Sequence, residues 1–172
     1  MVIIPSEIEG GSYDLEVKSA QVKSALILAG LFAKKPIKVG NVGATRDHTE
    51  RLLSFMGANI SCADNCVKIE PLNKPLSPVK FRIPGDISSA AFLLVAAAVC
   101  SPEGVTLKEV GVNPTRTGII DALEQMGAEV KRFNEKTIGN EPVADLFIKK
   151  SKLKAAHFFG DIIVRKIGRA HV

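Results

Sequence analysis

The sequence contains no tryptophan and one tyrosine among its 172 residues, so few side chains can stack on nucleic-acid bases. Its 23 basic and 18 acidic residues leave a net charge of +5, and both kinds are interspersed along the chain. This pattern favours small anionic ligands over nucleic acid as partners, with an ordinary basic surface as the alternative explanation.

Cysteine is scarce as well. Cys62 and Cys66 have the spacing of some zinc sites, but neither a second pair nor a histidine cluster follows, and Cys100 leaves the count odd. We therefore expect free thiols in a reducing compartment and no metal.

Long apolar runs are missing too, since none approaches the ~20 residues that cross a bilayer. The first residues, 1–7, lack the basic region of a secretory signal. No glycine motif matches a dinucleotide or phosphate loop, and no Ser/His/Asp or Cys/His set stands out. We expect a cytoplasmic protein with no membrane partner and no nucleotide cofactor, and we assign no catalytic residue.

A polar cluster, residues 18–24, runs directly into the apolar segment 25–33. A helix that starts at this junction offers unpaired backbone N–H groups to a phosphate or carboxylate, and Ser19, Gln21 and Ser24 add neutral donors. The alternative is that Ser19 or Ser24 only caps the helix.

Arg46 lies at the turn into a second helix, where its guanidinium is suited to a two-pronged contact with a phosphate. The alternative is a surface ion pair with Asp47 or Glu50. Further along, Asp86 is a predicted helix cap. Arg116 either points to a ligand or links the two halves of the chain.

Hydrophobic periodicity predicts strands at 13–17 and 37–42, a helix that includes the apolar segment 25–33, a second helix at 46–57, and a hairpin at 59–69. The second helix is expected to direct four apolar side chains inward, namely Leu52, Leu53, Phe55 and Met56. Prolines at 71, 75 and 78 then indicate an extended connector.

After the connector the same order of elements begins again. Seventy positions separate Thr45-Arg46 from Thr115-Arg116, and the same number separates Phe55-Met56-Gly57-Ala58 from Gln125-Met126-Gly127-Ala128. A period of this length predicts a small α/β module of strand, helix, strand, helix, strand, strand, used twice.

Four segments in this order and spacing resemble the 5-enolpyruvylshikimate-3-phosphate synthase family, in the branch with Ala between Ser and Gln. They are Ser19-Ala20-Gln21-Val22-Lys23-Ser24, Thr45-Arg46-Asp47-His48-Thr49-Glu50, Pro84-Gly85-Asp86-Ile87-Ser88-Ser89-Ala90 and Asn113-Pro114-Thr115-Arg116-Thr117-Gly118. The resemblance implies an α/β protein with repeated βαβαββ units, part of the inside-out α/β barrel of the enolpyruvyl transferase fold. Residues 1–79 would belong to the N-terminal substrate-binding domain and 80–166 to the second domain. Residues 167–172 look foreign to the family and are interpreted as a non-native tail.

The resemblance also implies transfer of the enolpyruvyl group from phosphoenolpyruvate to the 5-hydroxyl of shikimate 3-phosphate, in aromatic amino-acid biosynthesis, with no cofactor. Carried over by position, Ser19, Ala20 and Gln21 would bind shikimate 3-phosphate, Gln21 would also approach phosphoenolpyruvate, and Arg46 would complete the phosphate site. The full-length enzyme would be a monomer, whereas this shorter chain would expose apolar surface and self-associate.

Two departures from the family matter. The family is more than twice this long, its catalytic Lys and Arg lie upstream of Met1, and its Asp-Glu pair would fall on Gly168 and Arg169. The isolated chain is therefore expected not to turn over. Two other hypotheses remain, a fragment of UDP-N-acetylglucosamine enolpyruvyl transferase and a non-catalytic module that binds small anions or a protein partner.

Overall fold

The computed structural model describes residues 6–160 and residue 162. The chain divides into two compact units, Met1–Lys80 (unit 1) and Phe81–Val172 (unit 2), and each is described by itself. The tail predicted at 167–172 lies outside the described residues. Among the described residues, no helix has both the length and the apolar character that a membrane span requires.

The described part of unit 1, from residue 6 onward, contains two helices and a four-stranded sheet. Its elements are β1 (Gly11–Asp14), α1 (Ala20–Gly30), β2 (Ile37–Gly40), α2 (His48–Phe55), β3 (Ile60–Ala63) and β4 (Cys66–Ile69). The strand order is β1-β2-β4-β3, with β1 and β2 parallel and the other pairs antiparallel.

The core of unit 1 forms where alternating strands meet the buried face of α1. Ile37 and Val39 of β2 are buried while Lys38 between them is exposed, and Val67 and Ile69 of β4 repeat this alternation. They cluster with Ile27 of α1. The predicted hairpin between β3 and β4 is confirmed, with Asp64 and Asn65 both at positive φ in its two-residue turn.

Unit 2 contains α3 (Ile87–Cys100), β5 (Val105–Gly111), α4 (Gly118–Gln125), β6 (Val130–Ile138) and β7 (Glu141–Ile148). The antiparallel strands have the order β5-β7-β6. Before α3, Gly85 makes a single parallel bridge to Val110 of β5. This bridge takes the place of the first strand that the repeat predicts.

The repeat is otherwise confirmed in detail. Helices α2 and α4 each have eight residues and begin seventy positions apart. Each is followed by a methionine C-cap, Met56 or Met126, and then by Gly57 or Gly127 at φ +95°. This left-handed conformation after a helix is the one that glycine adopts most readily.

Some predicted boundaries and faces are wrong. Strand β1 begins at Gly11 and ends at Asp14, instead of spanning 13–17. Of the two residues considered as the cap of α1, Ser19 is the one observed, since α1 begins at Ala20. Of the four apolar side chains expected to point inward from α2, Leu53 is buried, whereas Leu52 and Phe55 are 38% and 40% exposed. A two-turn helix presents only a narrow stripe to the core, because successive side chains are about 100° apart around its axis.

Candidate functional site

The start of α1 is held by its own polar side chains. Ser19 is the N-cap, and its Oγ accepts a hydrogen bond from the backbone N–H of Val22 at 3.4 Å. The same hydroxyl donates to Oε1 of Gln21, also at 3.4 Å. The first turn carries no acidic side chain, so the positive end of the helix dipole is not offset by a local carboxylate. Capping by Ser19 is therefore confirmed, and the surroundings remain suited to an anion.

A cavity of about 420 Å³ opens beside this helix start. It brings together three of the four predicted site residues, Ala20, Gln21 and Arg46, and Ser19 adjoins them through its hydrogen bond to Gln21. The rest of the wall comes from α1 and from the beginning of α2, namely Ser24, Ala25, Leu28, His48 and Thr49. The cavity is therefore mostly apolar, with a guanidinium and amide and hydroxyl groups at defined points.

The carboxylates proposed as surface partners for Arg46 have other partners. Asp47 pairs with Nε of Arg51 at 2.8 Å, and Glu50 pairs with Nζ of Lys23 at 2.5 Å. Both acids near Arg46 in sequence are thus engaged by other cations as well, and Arg46 itself lines the cavity.

Sequence reasoning missed the role of Lys23. This side chain is only 1% exposed and lies behind the cavity, where Nζ donates to the backbone carbonyl of Arg46 at 2.7 Å. One signal was available, because Lys23, Ile27 and Gly30 have the i, i+4, i+7 spacing of one helix face, and that face is the buried one.

Arg116, seventy positions after Arg46, has a different environment. Its Nη2 contacts Oδ1 of Asp86 at 3.1 Å and Oγ of Ser88, both at the start of α3. Asp86 is also the N-cap of α3, as predicted. Both groups belong to unit 2, so these contacts support a structural role within the second repeat.

A second cavity, of about 660 Å³, lies in unit 2 where the bulges of β5 and β6 face each other across β7. Although it is larger, three of its charged groups pair with one another: Lys136 and Arg82 contact Glu109 at 2.5 and 3.0 Å. These two cations hold the pKa of Glu109 below its ordinary value. Hydrogen bonds from the Asn134 amide and the Glu109 backbone N–H likewise lower the pKa of Asp145. We therefore place the candidate site in unit 1.

The chain is similar to known proteins over most of its length. The family model described as EPSP synthase (3-phosphoshikimate 1-carboxyvinyltransferase) matches residues 1–164. The chain belongs to the EPSP synthase family. The predicted resemblance is thereby confirmed.

Individual members of the EPSP synthase family match over most of the chain. The 3-phosphoshikimate 1-carboxyvinyltransferase of Petrotoga mobilis is 48% identical over 151 residues, which are 88% of this chain and 35% of the relative. That of Syntrophomonas wolfei is 46% identical over 167 residues, 97% of this chain and 39% of the relative. The chain thus spans a little over a third of these relatives.

The fold agrees as well. The solved structure of EPSP synthase from Acinetobacter baumannii superposes with a TM-score of 0.84 at 43% identity, over 92% of this chain and 36% of that one. The predicted α/β fold, a partial form of the inside-out arrangement with repeated βαβαββ units, is confirmed. The assignment of Ser19, Ala20, Gln21 and Arg46 to a substrate remains a prediction.

Proposed function

We propose that this chain forms part of an enzyme that transfers the enolpyruvyl group of phosphoenolpyruvate to the 5-hydroxyl of shikimate 3-phosphate, releasing phosphate. Its contribution is to bind shikimate 3-phosphate through Ser19, Ala20, Gln21 and Arg46. The observation that carries the proposal is the cavity at the start of α1, which places Ala20, Gln21 and Arg46 on one wall in a member of the EPSP synthase family.

The chemistry of the wall suits this ligand. A guanidinium binds two phosphate oxygens at once, and the exposed N–H groups at the helix start favour negative charge. Ser19 and Gln21 add neutral donors, and Ala20 between them has a small side chain that lines the cavity. In this proposal Gln21, which is exposed and lines the cavity, also contacts the second anionic substrate, phosphoenolpyruvate.

The second repeat offers an internal comparison. There the arginine at the equivalent position contacts a carboxylate of its own chain, Asp86, at the N-cap of the first helix. In unit 1 the N-cap is the neutral Ser19. We infer that an anionic ligand takes in unit 1 the place that the Asp86 carboxylate holds in unit 2.

Calorimetric titration of the 172-residue chain with shikimate 3-phosphate tests the site. Replacing Arg46 by Ala removes a charge-assisted, two-pronged contact and should weaken binding by about 10- to 150-fold, which corresponds to ~1.5–3 kcal/mol. Arg116→Ala is the matched control, since it removes the equivalent residue of the other repeat. It should lower the melting temperature and leave the dissociation constant unchanged.

The same titration separates the alternatives. Tighter binding of UDP-N-acetylglucosamine than of shikimate 3-phosphate would favour the other enolpyruvyl transferase. If the chain binds neither ligand, and Arg46→Ala has no effect on function, a non-catalytic module is favoured. Catalysis is tested in a chimera, in which the 172 residues of this chain replace the matching segment of the Petrotoga mobilis enzyme. We expect product from that chimera, a large loss with Arg46→Ala in it, and none from the 172-residue chain alone.

A further inference from the structure

Unit 1 contains a buried ion pair that its core does not require. Lys23 of α1 is 1% exposed and Glu50 of α2 is 4% exposed, and Nζ of Lys23 lies 2.5 Å from Oε1 of Glu50. Lysine and glutamate are among the residues least often buried, because both charges lose their hydration. A pair of apolar residues would commonly give equal or greater stability at such a position. Stability alone therefore does not explain the pair.

The second repeat shows that this fold forms with apolar residues at the positions equivalent to Lys23 and Glu50. Lys23 lies four residues after the N-cap of α1, and the residue four after the N-cap of α3 is Ala90, which is buried. Seventy positions after Glu50 is Ile120, which is fully buried. The corresponding place in unit 2 is thus apolar, although α4 repeats the length and capping of α2.

The charged pair of unit 1 and its apolar counterpart in unit 2 go together with different contacts at Arg46 and Arg116. In unit 2 the Arg116 side chain is fixed by Asp86 and Ser88. In unit 1, Nζ of Lys23 donates to the backbone carbonyl of Arg46, at 2.7 Å, and Glu50 of α2 pairs with the same ammonium group. Lys23 therefore links three points of unit 1: the first turns of α1, the Arg46 backbone and α2.

We propose that Lys23 and Glu50 are positioning residues that hold the Arg46 backbone at the cavity wall, so that its guanidinium meets the anionic ligand in a fixed geometry. The anion-binding part of this inference rests on the proposed function. A ligand-binding side chain needs a supporting group that sets its position, because small displacements of a charged contact cost much of its affinity. Lys23 supplies that support from inside the unit, where solvent does not compete for its hydrogen bonds.

The test replaces both charges together, so that neither is left unpaired. Lys23→Met with Glu50→Leu keeps the side chains long and unbranched at Cβ, and should retain a cooperative melt. Shikimate 3-phosphate should bind this variant at least about tenfold more weakly in calorimetric titration. Lys23→Ala with Glu50→Ile, which copies the residues of unit 2, is the second variant in case the first does not fold.

A double-mutant cycle distinguishes positioning from a general structural effect. If the pair acts through Arg46, adding Lys23→Met and Glu50→Leu to Arg46→Ala should weaken binding no further. Added to Ser19→Ala, the same pair of changes should weaken binding by the same factor as in the parent chain, because the Ser19 hydroxyl contacts Gln21. Full additivity with Arg46→Ala, or unchanged affinity in a folded paired variant, would overturn the proposal.

Amide hydrogen exchange decides the positioning claim without a ligand. In the paired variant, exchange at residues 45–48 should accelerate at least about tenfold, while exchange in β4 stays within about twofold of the parent chain. Should the parent chain fail to bind shikimate 3-phosphate, the proposed function fails, but faster exchange confined to 45–48 still supports positioning by Lys23. Unchanged exchange there, or loss of cooperative melting in both paired variants, overturns it.

Discussion

The hydroxyl oxygens of Ser24 and Thr49 lie 2.7 Å apart, within hydrogen-bond distance, and join α1 to α2 beside the candidate cavity. Both side chains are half-buried and both line the cavity. The cavity wall is therefore braced by a hydrogen bond near the surface and by the Lys23–Glu50 pair beneath it.

Removing one hydroxyl of this bridge should destabilise unit 1. Ser24→Ala and Thr49→Val should each lower the free energy of unfolding by ~1 kcal/mol, because a half-buried hydroxyl loses its partner. The double variant should lose less than the sum of the two, since no unpaired group remains. Urea unfolding followed by circular dichroism measures all three. Ser54→Ala, at an exposed position of α2, is the control and should change little.

Two substitutions at Ser19 separate capping from anion binding. Ser19→Ala removes the hydroxyl that accepts from Val22 and should cost ~0.5–2 kcal/mol of stability. Ser19→Asp keeps a good N-cap and favours the helix dipole, so stability should stay close to that of the parent chain. The added carboxylate should nevertheless abolish binding of shikimate 3-phosphate, as Asp86 occupies the corresponding place in unit 2. Retained affinity in a stable Ser19→Asp variant would contradict the proposed site.

Much of this could be predicted from the sequence, for physical reasons that differ between residues. The start of α1 was predictable because capping is a local property, decided by Ser19 and the residues just after it. The repeat was predictable because the same two residues, Met56-Gly57 and Met126-Gly127, follow two helices and favour the same helix C-terminus. The pairing of Lys23 with Glu50 was not, because helix spacing indicates which face Lys23 shares but not that it meets a glutamate twenty-seven positions away. The first strand that the repeat predicts in unit 2 is reduced to a bridge at Gly85, because pairing there depends on contact with β5 and not on local propensity.

Unit 2 should lose stability on acidification. Glu109 and Asp145 both have pKa values held below their ordinary values of 4.5 and 3.8, Glu109 chiefly by Lys136 and Asp145 chiefly by Asn134. A carboxyl group with a lowered pKa stabilises the folded state above its ordinary value, and this contribution is lost as pH falls through the folded-state value. The melting temperature should therefore fall between pH 5 and pH 3, and fall less in Asp145→Asn. Glu103→Gln, at an exposed loop position, should follow the parent chain.

The 172-residue chain should self-associate through α3. Phe92, Leu93 and Val99 of this helix are 79%, 55% and 50% exposed, and apolar surface of this kind favours association. Phe92→Ser with Leu93→Ser should shift the mass measured by light scattering toward the monomer at a given concentration. Phe159→Ser is the matched control, because Phe159 is equally exposed, at 79%, and lies outside the helix. A parent chain that is monomeric at all concentrations would contradict this expectation.

The burial of the Lys23–Glu50 pair has a consequence for the dependence on ionic strength. Dissolved salt screens charges that water can reach, with a Debye length of about 8 Å at physiological salt, and acts much less on pairs inside a protein. Raising the salt concentration should therefore weaken the attraction between Arg46 and an anionic ligand while the support beneath Arg46 stays intact. The site would release its ligand in high salt and regain full affinity on dilution, without having to refold.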